Sequence, residues 1–72
     1  MNQEEIKECL AHPNPCRQII EHSSGGVYVL RNLCRVQVAG TWMHGASYTD
    51  THDNQYVRML DNFENFKPIG ER

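Results

Sequence analysis

The side chains able to do chemistry are concentrated in the first third of the chain. Cys9, His12, Cys16 and His22 follow the spacing C-x2-H-x3-C-x5-H. Thiolate and imidazole ligands suit tetrahedral Zn²⁺, and a metal adds folding free energy to a small domain. The ligand order is not that of the usual finger or knuckle, however, and Cys9 also completes the apolar stripe of a helix. Cys9, Cys16 and Cys34 read first as small buried hydrophobes. The sequence therefore predicts no metal and no cofactor, with the four-residue cluster kept as the alternative. A nucleophile would pair Cys34 or Cys16 with His22 or His44. Neither cysteine lies in a nucleophile motif, and alternation puts Cys34 on the inward face of a strand, where a thiol is inert. The run Asp50-Thr51-His52-Asp53-Asn54 offers oxygen ligands without the pattern of a calcium loop, and reads as a hairpin tip. No catalytic residue is predicted.

What remains is a binding face. Arg17, Arg31, Arg35 and Arg58 share the strand region with Tyr28, Trp42, Tyr48 and Tyr56. Arginines among aromatics stack bases or hold phosphates; the same types anchor protein interfaces. The candidate binding residues are Arg35, Trp42, His44, Tyr48, Tyr56 and Arg58. The formal charge is −2, and Glu4, Glu5, Glu8, Asp61 and Glu64 would repel a phosphate backbone. A protein partner, a second copy in a homodimer included, is favoured over a nucleotide or nucleic acid.

These residues need elements to position them. Residues 2–11 form a short helix: Asn2 caps it, Glu5 completes a capping box, and Ile6, Cys9 and Leu10 make a narrow apolar stripe. Pro13 and Pro15 end it. Cys16 to His22 is a first strand and Ser23-Ser24-Gly25-Gly26 a glycine turn. Val27 to Arg31 is a second strand, with a bulge or bend at Asn32 before Leu33 to Val38. There Cys34, Val36 and Val38 face one way, Arg35 and Gln37 the other. After the turn Ala39-Gly40-Thr41, Trp42 to Tyr48 sets Trp42, His44, Ala46 and Tyr48 on one face. Thr49 to Asn54 is a polar tip and Gln55 to Met59 the return strand. Leu60, Phe63 and Phe66 then recur every third residue, the spacing of a 3₁₀ turn with its aromatics inward. Lys67-Pro68-Ile69 is a short edge segment.

One helix and about five short strands in 72 residues make a single α+β, mainly β domain. The expected architecture is a strongly bent antiparallel sheet, an SH3-like partly open barrel covered by the helix, with an open sheet as the alternative. A domain of this size buries only about 60% of its unfolded surface. Three cysteines cannot all pair, and no signal-peptide pattern or long apolar run is present, which points to a reducing cytoplasm with no membrane span.

The second half resembles a family of small uncharacterised bacterial and phage domains. The resemblance rests on Gly25, Gly26, Tyr28, Val29, Leu30, Tyr48, Tyr56, Val57, Arg58, Leu60 and Phe63. It covers about residues 23–66 and ends in a closing Tyr-Val-Arg-x-Leu-x-x-Phe. Met59 stands where that family has proline, and the helix lies outside the match. The resemblance implies a compact β-fold and a phage or prophage origin, and no particular activity. The expectation is a non-enzymatic binding module, an accessory protein that contacts a host protein. A nucleotide or nucleic-acid binder using the arginine and aromatic face is the alternative.

Overall fold

The structure, a computed structural model, describes residues 1–11 and 18–69. Helix α1 (Gln3–Ala11) begins at the predicted capping box. The Glu5 N–H donates to Asn2 Oδ1 at 2.8 Å and the Asn2 N–H to Glu5 Oε1 at 2.9 Å, so two otherwise orphaned donors are satisfied reciprocally. Ile6 is fully buried and Cys9 and Leu10 are packed against the core at half-burial. A nine-residue helix is marginal alone; this one is held by its docked stripe.

Five strands follow: β1 (Ile19–His22), β2 (Val27–Val38), β3 (Thr41–Thr49), β4 (Gln55–Met59) and β5 (Phe66–Pro68), with a 3₁₀ turn (Leu60–Asn62) before the last. They form one antiparallel sheet in the order β4-β3-β2-β1-β5. The sheet is not closed by hydrogen bonds. It curls until its edges meet through side chains: the Arg58 guanidinium of β4 lies 5.1 Å from the ring centre of Phe66 on β5. The fold is thus the expected α+β, mainly β domain with a partly open barrel.

The concave face holds the core. Ile6, Ile20, Leu30, Ala46, Tyr48, Leu60, Phe63 and Phe66 form one buried cluster. Its aromatic half is joined edge to face, Tyr48 meeting Tyr28, Phe63 and Phe66 at ring-centre distances of 5.3, 5.8 and 5.6 Å. Such pairs add to simple area burial. The threefold spacing of Leu60, Phe63 and Phe66 does what it predicts, since all three turn inward.

β2 is a single twelve-residue strand where two were expected. The break near Asn32 is a bulge: Leu30 pairs with Tyr48 and Asn32 with Ser47, leaving Arg31 as the extra residue. The Asn32 N–H donates to Ser47 Oγ at 3.2 Å, and Arg31 Nε donates to Thr49 Oγ1 at 3.0 Å. An extra residue inverts the alternation beyond it. Leu33, not Cys34, therefore continues the concave face from Leu30. Cys34, Val36 and Val38 do share one face, as expected, but it is the convex one. Cys34 sits there half-buried opposite Gly45, which corrects its assignment to the inward face.

Candidate functional site

Register divides the six candidate residues into two groups. Tyr48, Tyr56 and Arg58 lie together where the edge strand β4 pairs with β3, with Tyr56 opposite Tyr48 and Arg58 opposite Ala46. Arg58 Nε donates to Tyr48 Oη at 2.9 Å. Tyr48 is only 5% exposed, so it is a core residue and cannot present a ligand-binding surface. Tyr56 stacks on it at 5.4 Å and donates its hydroxyl to Asp50 Oδ2 at 2.8 Å. Asp50 also accepts the backbone N–H groups of His52 and Asn54 and the Asn54 side-chain amide, at 2.8, 2.9 and 3.0 Å. These bonds, led by the Asn54 amide and then the Tyr56 hydroxyl, hold its carboxyl well below the usual range. The same carboxylate pushes the Tyr56 phenol above its ordinary value of 10.0. The group is a satisfied structural network that closes the β3–β4 hairpin, with Asp53 at φ 64° in the tip.

Arg35, Trp42 and His44 sit elsewhere. β1 pairs with β2 only over Val27–Val29, and β4 pairs with β3 only over Gly45–Thr49. Beyond Gly45 the β2–β3 hairpin continues alone for four residue pairs, Arg35↔His44, Val36↔Met43, Gln37↔Trp42 and Val38↔Thr41. This two-stranded ribbon reaches about 14 Å past the sheet at the usual strand rise, in a molecule measuring 38 × 24 × 20 Å. Ala39 and Gly40 turn it with φ of 50° and 82°, the sign pattern of the hairpin turn whose twist matches its strands.

One face of the ribbon carries Arg35, Gln37, Trp42 and His44, with the Arg35 guanidinium 6.0 Å from the Trp42 ring centre. This cation–π pair joins diagonal neighbours. The bulge at Arg31 is what aligns Arg35 with the Trp42 face. The opposite face carries Val36, Val38 and Met43. Trp42 is 59% exposed and Leu33 49%, with Val38 and Met43 also exposed. Apolar side chains thus face outward on both sides of an element whose isolated counterpart is marginally stable in water.

Charge separates along the same line. No Asp or Glu occurs between Glu21 and Asp50, although the chain has nine. The exposed carboxylates of Glu4, Glu5 and Glu8 lie on α1, and those of Asp61 and Glu64 at the 3₁₀ turn. The sequence places Trp42 and His44 on one face of β3 and Arg35 with Gln37 on one face of its own strand, and the pairing of β2 with β3 brings the two faces together. Sequence reasoning missed Leu33, Val38 and Met43, whose exposure follows from where β1 and β4 stop pairing. The carboxylate-free run was a signal already visible in the sequence.

No family model, curated protein or solved structure matches this chain.

Of the alternative metal cluster, His12 and Cys16 lie outside the described residues. Among the described residues no group of three or more His, Cys, Asp or Glu side chains is gathered to hold a metal ion. His22 Nδ1 accepts the Ser24 N–H at 3.1 Å and lies 2.8 Å from Ser24 Oγ, tying the glycine turn at an exposed position. Among the described residues no helix is long and apolar enough to cross a membrane.

Proposed function

We propose that this chain is a non-enzymatic binding module that docks on a protein partner through its β2–β3 ribbon. The observation that carries this reading is the outward-facing apolar surface on both sides of the ribbon, centred on Trp42. A tryptophan flanked by an arginine and aliphatic side chains is the composition of an interface anchor. The resemblance noted above gives the concrete form: a phage or prophage accessory protein, working in the cytoplasm, that contacts a host protein.

The test is a quantitative capture from bacterial lysate with wild type, Trp42→Ala and Leu33→Ser as baits. All three should show the same circular dichroism, because both positions are exposed. A specific partner should be retained by wild type and lost by both variants. A partner held equally by all three, or none held by wild type, refutes the reading.

The second reading is nucleic acid, since a two-stranded ribbon fits the major groove. It is favoured by the carboxylate-free face of Arg35, Gln37 and His44. Arg35 is the only residue of the four-pair ribbon carrying a full positive charge, so the salt slope would be close to one phosphate. Salt-dependent DNA binding that is lost on Arg35→Ala would select this reading. Arg58 is already engaged with Tyr48 and Phe66.

A further inference from the structure

The molecule carries a second feature that complements the ribbon. Between the start of α1 and the 3₁₀ turn is a shallow hollow of about 370 Å³, lined by Met1, Asn2, Gln3, Leu60, Asp61 and Glu64. Its wall is largely apolar and its rim carries the carboxylates of Asp61 and Glu64, while the Met1 ammonium is bonded to the Phe63 and Phe66 carbonyls at 2.7 and 2.6 Å. The ribbon offers the converse: an exposed indole capped by a guanidinium, with an imidazole beside it and no carboxylate.

The geometry points to a second copy of this chain as an occupant of the ribbon: Trp42 of each protomer enters the partner's hollow, with Arg35 and His44 against Asp61 and Glu64. This rests on the reading of the ribbon as a docking surface, and names a partner for it. Because ribbon and hollow belong to the same chain, two copies related by a twofold axis satisfy both contacts at once. That arrangement closes, whereas a one-way contact would propagate into a filament. Each buried indole removes about 150–250 Å² from water. A standard interface covers about 800 Å² per partner, near a sixth of the 4883 Å² surface of one protomer. Opposite charges at the rim orient the two copies and speed their encounter.

Charge reversal across the interface tests this with the full chain alone. Sedimentation equilibrium should show a wild-type dimer that weakens as salt is raised. Trp42→Ala should raise the dissociation constant about 30-fold, the effect of losing an anchor residue. Arg35→Glu sets acid against acid, and Glu64→Arg sets base against base, so each variant alone should be monomeric. Mixing the two should restore a heterodimer. In that pair Glu at position 35 meets Arg at position 64, and the native Arg35 meets the native Glu64. All three substituted positions are exposed, and circular dichroism checks that each variant is folded. A wild type that stays monomeric from micromolar to millimolar concentration overturns the inference, as does a dimer indifferent to Trp42→Ala or a mixture that stays monomeric. The host-protein partner fails separately, on the lysate capture: a monomeric wild type whose captured partner depends on Trp42 would overturn the dimer alone, and a Trp42-dependent dimer that captures nothing would overturn the host partner alone.

Discussion

Gly45 is the residue at which the ribbon leaves the sheet, and adding one methyl group there tests how tightly that junction is built. Gly45 is buried and pairs with Cys34 on one side and Met59 on the other. A Cβ placed on it would stand 2.8 Å from the Arg58 carbonyl oxygen and 2.9 Å from Val36 Cγ2. Real Cβ atoms do not come so close to either. The carbonyl belongs to a laddered strand and cannot swing away alone, whereas Val36 can turn its side chain at the cost of a poorer rotamer. Overpacking of this kind costs about 1–3 kcal/mol. Against it stands the gain from stiffening the unfolded chain, about 0.4–1 kcal/mol. Gly45→Ala should therefore destabilise by about 1–2 kcal/mol. With a urea m-value near 1 kcal/mol/M for a chain this small, the unfolding midpoint should fall by about 1–2 M. The double variant Gly45→Ala/Val36→Ala separates the two contacts. It removes the methyl clash and leaves the carbonyl, so the double-mutant cycle should show favourable coupling while stability stays below that of Val36→Ala alone. A Gly45→Ala protein as stable as wild type would refute the close approach of β4 to β3 at this point.

Ala39 adopts a left-handed conformation beside Gly40, so Ala39→Asn should stabilise the hairpin by about 0.5–1 kcal/mol, read as a higher urea midpoint. Asp50 has its carboxyl pKa depressed in the folded state by the Asn54 amide and the Tyr56 hydroxyl. Its contribution is present above the ordinary value of 3.8 and is lost as pH falls toward the folded value; Asp50→Asn should flatten that acid limb of the stability profile. The same variant should bring the Tyr56 phenol back toward 10.0 in an ultraviolet titration, and an unchanged phenol would sink the assigned bond. Tyr48→Phe removes the acceptor of Arg58 Nε and should cost about 1 kcal/mol, a loss absent when Arg58 is already alanine.

The elements with strong local signals were legible. The capping box at Asn2 and Glu5, the glycine turn at 25–26, the return strand from Gln55 to Met59 and the inward Leu60, Phe63 and Phe66 follow from chemistry within a few residues. Alternation in β3 correctly put Trp42, His44, Ala46 and Tyr48 on one face. It could not tell that the first two lie past the end of β4 while the last two lie under it. Exposure along that strand is set by how far its neighbours extend, and that is a tertiary fact. In the sequence the inversion at Arg31 shows only as a bulge or bend at Asn32. Its consequence, Leu33 and not Cys34 continuing the concave face, depends on which residue the bulge leaves unpaired. Tyr56 looked like a surface residue available to a ligand, yet its hydroxyl is committed to Asp50, six residues earlier and across a hairpin.

The place of β5 in the sheet sets an order of events for folding. β1–β2, β2–β3 and β3–β4 are hairpins closed by short turns, whereas β5 pairs with β1 across most of the chain: His22 lies opposite Phe66, 44 residues later (66 − 22). Closing a segment of that length costs about 2 kcal/mol more entropy than closing a four-residue turn. The β2–β3 hairpin can therefore form early, while Phe66 joins the core only after the rest of the sheet is in place. Destabilising changes in β2 and β3 should slow folding, and those in β5 should mainly speed unfolding. The β5 amides should also exchange with solvent through openings that leave the central hairpin intact.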